Sequence, residues 1–365
     1  MELNKQNQTA GDNAHQTQIE NVNQITVIQG ITEERAREIF QEMNRQAMAN
    51  YTQDAYTEAI RRVRILEKLV MDRTEKVDGM LDAFRDPAFQ ILLAEAQKRA
   101  AATEREADYE LLSELLVCHV QKGKNKINRA GINRAVEIVG DIDTSALCAL
   151  TVAYSAEAFV PASGNITEGL NALNDLFEKV MYDDLPAGNE WIDHLELLGA
   201  VRISAFGRMG KIHEHYAKKL NGYTCAGIKK DSDDYERAVS ILNEANVDAK
   251  IVVNHELLDG YVRLSIMSEE QIDDLTYESK ANRVPISQEE KQALKQVCSM
   301  YVKDTGIIEA VNRTFAERWS MFPALVKLSE WWDGLKQPFR VTQLGRILAY
   351  TNAKRCEPHL PDFIE

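Results

Sequence analysis

The stretch from Tyr56 to Phe84, YTEAIRRVRILEKLVMDRTEKVDGMLDAF, decides the fold class of this chain. Apolar residues return in it at alternating intervals of three and four, which is the spacing of the a and d positions of a heptad repeat. Charged residues fill the faces between them, and Arg73 is the one exception in the register. The pattern predicts an amphipathic helix. Its apolar positions are Tyr56, Ala59, Val63, Leu66, Val70, Val77, Met80 and Phe84.

The same helix is predicted to begin far upstream, because Thr32 is a good N-cap residue and acids follow it. No proline interrupts the chain before Phe84, so a continuous coiled-coil helix over residues 32–85 would be about 80 Å long. A break is expected near residues 50–54, which are polar. The alternative is that the apolar stripe packs against the rest of the same chain. The residues predicted to contact other copies are Tyr56, Val63, Leu66, Val70, Val77 and Met80.

The N-terminal segment, residues 1–31, is rich in Asn and Gln but carries a regular apolar pattern. Its apolar residues fall at every third position, which suits neither a helix nor an ordinary strand. An extended, β-type chain wound with copies of itself would give this spacing, so the segment predicts a homo-oligomer, with a trimer as the first expectation. A disordered tail is the alternative. The pattern consists of Ile19, Val22, Ile25, Ile28 and Ile31.

The rest of the chain predicts a mainly α protein with two further domains. Residues 86–200 read as a helical domain, and residues 201–365 as an α+β domain. Two short strands, at 250–254 and 260–266, are predicted to form a hairpin around Asp259-Gly260.

Composition narrows the class of protein. The net charge is -14, which argues against a broad nucleic-acid surface. The five cysteines are scattered and form no CxxC pair, which favours reduced thiols in a cytoplasmic protein over a disulfide framework or zinc site. The sequence shows no signal-peptide pattern, no apolar run long enough to span a membrane, and no cofactor or metal motif.

Two weak signals for chemistry remain. Residues 122–134 carry a run of bases, which could contact phosphate or simply form a solvated loop between helices. Arg208 and His213 match the Arg-x4-His spacing of HEPN-type ribonucleases, in which the pair activates a 2′-hydroxyl and stabilises phosphate charge. Met209 replaces the polar residue usual after the arginine, and catalysis is not the expected function. The candidate phosphate contacts are Lys122, Lys124, Lys126, Arg129 and Arg134.

One long region resembles a known group of proteins. The stretches RDPAFQILLAEAQKRAAATEREADYELLSELLVCHV (85–120) and NRAVEIVGDIDTSALCALTVAYS (133–155) resemble a largely uncharacterised bacterial family. The closing helix is similar too, and the layout over residues 86–355 is similar to that of the Abi-alpha proteins of abortive infection. The matching positions are Pro87, Phe89, Gln90, Leu111, Leu112, Leu115, Leu116, Ala135, Glu137, Leu147, Leu150, Thr342, Gly345, Leu348 and Ala349.

The resemblance implies a role in phage defence and no catalytic residues. The first hypothesis is a self-assembling protein that recognises a phage or host protein. The alternatives are a HEPN-like ribonuclease that uses Arg208 and His213, and a winged-helix-like nucleic-acid binder built from the hairpin at 250–266 and the helix at 341–355. The acidic residues around the hairpin argue against the last of these.

Overall fold

A computed structural model describes residues 31–49, 51–74, 76–205, 207, 209–279 and 282–361, with only the backbone at 278, 279, 282 and 283. Over these residues the chain is mainly helical, as the sequence predicts. The helices are α1 (Glu33–Ala47), α2 (Gln53–Thr74), α3 (Met80–Ala83), α4 (Pro87–Ala102), α5 (Glu106–Lys122), α6 (Lys126–Ile138), α7 (Thr144–Ala158), α8 (Ile166–Val180), α9 (Glu190–Leu197), α10 (Ile212–Lys219), α11 (Asn221–Thr224), α12 (Asp233–Glu244), α13 (Gln288–Ser299), α14 (Thr305–Trp319), α15 (Pro323–Asp333) and α16 (Gln343–Cys356).

The strands are short and pair antiparallel. They are β1 (Val201–Ile203), β2 (Ile228–Lys229), β3 (Val252–Asn254), β4 (Tyr261–Leu264), β5 (Thr276–Ser279), β6 (Asn282–Pro285) and β7 (Phe339–Val341). β1 pairs with β7, β5 pairs with β6, and β4 lies between β2 and β3. The predicted hairpin is β3–β4, and its turn contains Gly260, whose φ of +76° suits glycine.

The predicted continuous helix over residues 32–85 is wrong, because the chain breaks twice. α1 begins as predicted, with the Thr32 hydroxyl oxygen accepting a hydrogen bond from the backbone N–H of Arg35 at 3.2 Å. The first break, between α1 and α2, is the one expected near residues 50–54. The second lies between α2 and α3, where Gly79 has a φ of +79°, a left-handed conformation that a helix interior does not allow.

The apolar stripe of α2 faces α4 and α5 of the same chain. Val63, Leu66 and Val70 are at most 1% exposed, and Met80 is fully buried. Tyr56 and Val77 are partly buried against the same core. The alternative interpretation of the heptads therefore describes the structure, and the stripe is not available as a seam between copies.

The N-terminal oligomerisation segment stays a prediction. Ile31 is partly buried against the helical core. Ile19, Val22, Ile25 and Ile28 lie outside the described residues.

A first, large apolar core is built from α1–α10 and from α14–α16, which return to it at the end of the chain. α16 packs on α5, α6 and α7 and has a buried polar centre. There the Asn352 amide donates to the Thr151 hydroxyl at 2.8 Å and to the Tyr182 hydroxyl at 3.0 Å, and Arg355 Nε donates to the side-chain Oδ1 of Asn352 at 2.9 Å. Satisfied buried networks of this kind fix how helices align.

A second, smaller core lies between residues 228 and 301 and combines β2, β4, α12 and α13. The predicted domain boundary at 200/201 does not coincide with the two cores, since Ala200 and Val201 are both buried in the first one. The hairpin β3–β4 belongs with the second core and α16 with the first, so the structure does not assemble them into the winged helix considered above.

One buried arginine joins the two cores. The Arg263 side chain is 0% exposed and donates hydrogen bonds to the carbonyl oxygens of Gly164 at 2.8 Å and Leu264 at 2.9 Å. Its partner Glu256, 3.4 Å away, accepts from the backbone N–H of Ile166 at 2.8 Å at the start of α8. Because a carboxylate is favourable at a helix N-terminus, this pair ties the second core to the first.

Candidate binding groove

Helices α10 and α14 lie side by side and form an open groove. α10 is anchored by buried Ile212 and Tyr216, and α14 by buried Phe315 and Trp319. The ring centroids of Tyr216 and Trp319 are 5.1 Å apart. Since these aromatic contacts fix both helices, the side chains on their outer faces keep a defined spacing.

The groove has a volume of about 520 Å³. That volume lies within the roughly 300–1,000 Å³ of typical ligand sites. Its lining mixes small, apolar and polar side chains: His213, Glu214, Ala217, Lys218, Thr224, Ile308, Asn312, Arg313 and Ala316.

The groove carries charges of both signs. Glu214, Lys218 and Arg313 are exposed and form no ion pair with one another or with any other described residue. The Asn312 amide adds both a donor and an acceptor. The arrangement can therefore bind a ligand that presents hydrogen-bonding groups and opposite charges.

A second cavity, of about 270 Å³, continues the groove toward the junction of the two cores and shares Thr224 and Ile308 with it. Burial raises the pKa of Cys225 to about 11 and that of Cys298 to about 12, so both thiols stay protonated near neutral pH and are poor nucleophiles. The remaining lining residues are Asn221, Gly222, Ala226, Ile266, Glu269, Tyr301, Val302 and Lys303.

The structure describes only one residue of the candidate catalytic pair. His213 is half-buried and lines the groove, whereas Arg208 lies outside the described residues. Asn312 and Arg313 share the groove with His213 although they are about a hundred positions away in sequence. No local motif could have revealed that proximity.

His215, on the same helix as His213, does not line the groove. It is half-buried with its ring edge-on to Tyr216, at 5.8 Å between centroids. Burial lowers its pKa, and its Nε2 atom has no hydrogen-bond partner among the described residues. This histidine belongs to the packing of α10.

The basic run 122–134 does not form one loop. Most of it is helix α6, which begins at Lys126 with Asn125 as its N-cap. Lys124, Lys126 and Arg134 are exposed, and Arg134 pairs with Glu137 at 2.7 Å. Arg129 is half-buried on the same helix. Lys122 is separated from the others, because it ends α5 and lines a different cavity.

Other features bear on the kind of site. All five cysteines are free. Within the described ranges no group of three or more His, Cys, Asp or Glu side chains could hold a metal ion. None of the helices seen in that part of the chain has the length and apolar character needed to cross a membrane.

Comparison with known proteins gives a family and no function. No curated protein matches the chain, and no solved structure does. A family model matches residues 30–361, which include every helix and strand described above. The family is uncharacterised, and nothing links it to the Abi-alpha proteins. The chain belongs to this uncharacterised family.

Proposed function

We propose that the chain is a cytoplasmic, self-assembling phage-defence protein that recognises a segment of a phage or host protein in the groove between α10 and α14. The observation that carries the proposal is the groove itself. Its charged side chains Glu214, Lys218 and Arg313 stand exposed and unpaired in the part of the chain described. Exposed charges of both signs around small residues suit a polypeptide, which offers backbone donors and acceptors as well as side-chain charges.

A protein ligand is favoured over nucleic acid on electrostatic grounds. Glu214 would repel phosphates, and the whole chain carries a net charge of -14. Nucleic-acid surfaces usually concentrate lysine and arginine without acids between them. Lys218 and Arg313 alone would bind the phosphates of a nucleic-acid backbone only weakly.

The proposed role in defence rests only on the sequence resemblance of residues 86–355 to Abi-alpha proteins, to which the family match adds no link. Self-assembly is supported by the period-three apolar pattern of residues 19–31. Gathering several grooves in one assembly would raise the apparent affinity for a multicopy phage component without any new contact.

The test is a plaque assay on cells that express the full chain, challenged with a panel of phages. Arg313→Ala and Lys218→Ala should each reduce protection against any phage that the wild-type chain restricts. Lys327→Ala, on α15 and outside the groove, is the matched control, since it also removes an exposed cation. Unchanged protection in both groove variants, at wild-type protein levels, would contradict the proposal.

A HEPN-like ribonuclease is the second candidate, because His213 shares its groove with the cation Arg313. The variant His213→Gln distinguishes the two functions, because it keeps a hydrogen-bonding side chain but removes a general base. A ribonuclease would lose about 10²–10⁴-fold in rate. A recognition protein should keep most of its protection. Loss of protection in a folded His213→Gln chain, together with loss of RNA cleavage in infected cells, would make the nuclease the leading function.

A further inference from the structure

A third cavity, of about 170 Å³, lies where α2, α5 and α16 meet. It has no lining residue in common with the groove or its continuation. Its lining is rich in basic groups: Arg73, Val77, Glu114, Val117, Cys118, Gln121, Lys122, Tyr350, Thr351, Lys354 and Pro358.

Three cations converge on this cavity from three helices. Arg73 is the residue that breaks the heptad register of α2, Lys122 ends α5, and Lys354 lies in the last turn of α16. One acid, Glu114, lines the cavity with them. The lining therefore carries a clear positive excess in a chain that is strongly acidic overall.

This acid already forms an ion pair with one of the three cations. Glu114 pairs with Arg73 at 2.6 Å, and the Arg73 Nε atom donates to the Ser113 hydroxyl at 2.8 Å. Burial raises the pKa of Glu114, although Arg73 and Lys354 act in the other direction. This carboxylate therefore has Arg73 as its ion-pair partner and does not pair with Lys122.

Lys122 is the cation of this lining that has no partner among the described residues. Its half-buried ammonium makes no hydrogen bond or ion pair with any other described residue. It lies close enough to Cys118 to act on the pKa of that thiol. Confining an unpaired cation costs free energy, so an anion that entered would be stabilised by a charge already in place.

We infer that this cavity binds a small phosphate-type oxyanion, such as inorganic phosphate. An anion with oxygens in several directions can accept from an arginine and two lysines that approach from different helices, and the Gln121 amide offers a further donor. The volume lies below the roughly 300 Å³ at which sites for larger organic ligands begin.

The C-terminal segment closes one side of this site. Pro358 lines the cavity, and the Lys354 ammonium donates to the carbonyl oxygen of Leu360. The Tyr350 hydroxyl donates to the carbonyl oxygen of Pro361 at 3.4 Å. A bound anion would therefore also hold the end of the described chain against α16.

The test is titration calorimetry of the full chain with inorganic phosphate, at constant ionic strength set by sodium chloride. We expect saturable binding with one site per chain. Lys122→Met should weaken it by about tenfold or more, because a charge-assisted hydrogen bond is lost. Lys124→Met is the matched control: this lysine is exposed, only two positions away, and outside the cavity. Its affinity should equal that of the wild-type chain.

Glu114→Gln gives a second, independent test. This variant removes the one acid among the described lining residues, so it should strengthen phosphate binding. A general salt effect would not respond in this way. The inference is overturned if phosphate gives no saturable binding, or if Lys122→Met and Lys124→Met bind alike. Weaker binding by a folded Glu114→Gln chain would also overturn it.

Discussion

At the scale of single residues, the two cores are held together by buried polar side chains. Arg263 is the main case, because its guanidinium donates to backbone carbonyls of both cores and lies 5.5 Å from the centre of the Tyr223 ring. Tyr223 in turn donates from its hydroxyl to the carbonyl oxygen of Ser163. Sequence alone gives no sign of this, since an arginine on a short strand is ordinarily exposed.

Arg263→Met should therefore lower the free energy of unfolding by about 3–5 kcal/mol, since it removes the cationic partner of Glu256 and a donor to several backbone carbonyl oxygens. Chemical denaturation of the purified chain measures the change. Arg237→Met is the control, because that side chain is 71% exposed on α12 and its loss should cost within about 0.5 kcal/mol. Similar values for both variants would mean that Arg263 does not join the cores.

Buried histidines should make stability depend on pH. Burial lowers the pKa of His119, which packs against Phe89 at 5.9 Å between ring centroids. As the pH falls below about 6.5, the unfolded chain takes up this proton more readily than the folded one, so stability is lost toward acid. Above that pH the imidazole is neutral in both states and the penalty is absent.

We expect His119→Leu to gain stability relative to the wild-type chain between about pH 7.5 and 5.5, by at most about 1.4 kcal/mol per pH unit. Urea denaturation at several pH values measures the difference. His215 and His255, whose pKa values burial also lowers, should keep part of the pH dependence in this variant. A difference that stays constant across the range would exclude His119 as a contributor.

At the scale of helices and strands, most elements could be predicted from the sequence, because caps, prolines and apolar periodicity are local. The α1 cap at Thr32 and the β3–β4 hairpin around Gly260 are examples. The sequence did not determine what the apolar face of α2 packs against. The heptads of α2 fit a seam between copies as well as the surface of α4 and α5, and periodicity cannot separate the two.

The candidate site could be predicted only in part, for a related reason. His213 was found through its spacing from Arg208, but its neighbours in the groove, Asn312 and Arg313, come from a distant helix. Likewise, Arg73 appeared as an irregularity in the heptads, and only the fold brings it beside Lys122 and Lys354. Contacts between distant segments depend on packing, which a local pattern does not encode.

Leu66→Ala tests how the α2 stripe is used. Leu66 is fully buried, so truncation should lower the free energy of unfolding by about 2–5 kcal/mol. Light scattering should find the same mass for the folded variant as for the wild-type chain. Arg61→Ala is the control, since this side chain is 64% exposed on the same helix and should change stability by within about 0.5 kcal/mol. A lower mass for folded Leu66→Ala would instead indicate a seam between copies.

At the scale of the whole molecule, the proposed self-assembly would have to use surfaces other than the α2 stripe. α1–α3 belong to the first core, and removing them would expose the faces of α4 and α5. A chain that begins at Asp86 is therefore expected to unfold or aggregate, which would hide any effect on assembly. A cut before Ile31 spares every described element and is the sharper test.

We expect the full chain to be an oligomer, with a trimer as the first expectation, and a chain that begins at Ile31 to be a monomer. The reason is the period-three pattern, which a short polar segment can bury only against other copies. Light scattering of both proteins measures the masses, and circular dichroism checks that the shorter chain keeps its helices. Ile25→Asp with Ile28→Asp in the full chain is a second route to the same result, because buried unpaired carboxylates oppose association. Equal masses for the full and shortened chains would mean that residues 1–30 do not cause assembly.

The shortened chain can also show whether assembly is needed for defence. If it is a folded monomer that still binds phosphate and yet no longer restricts phage, then assembly itself is needed, as expected where several grooves must engage one target.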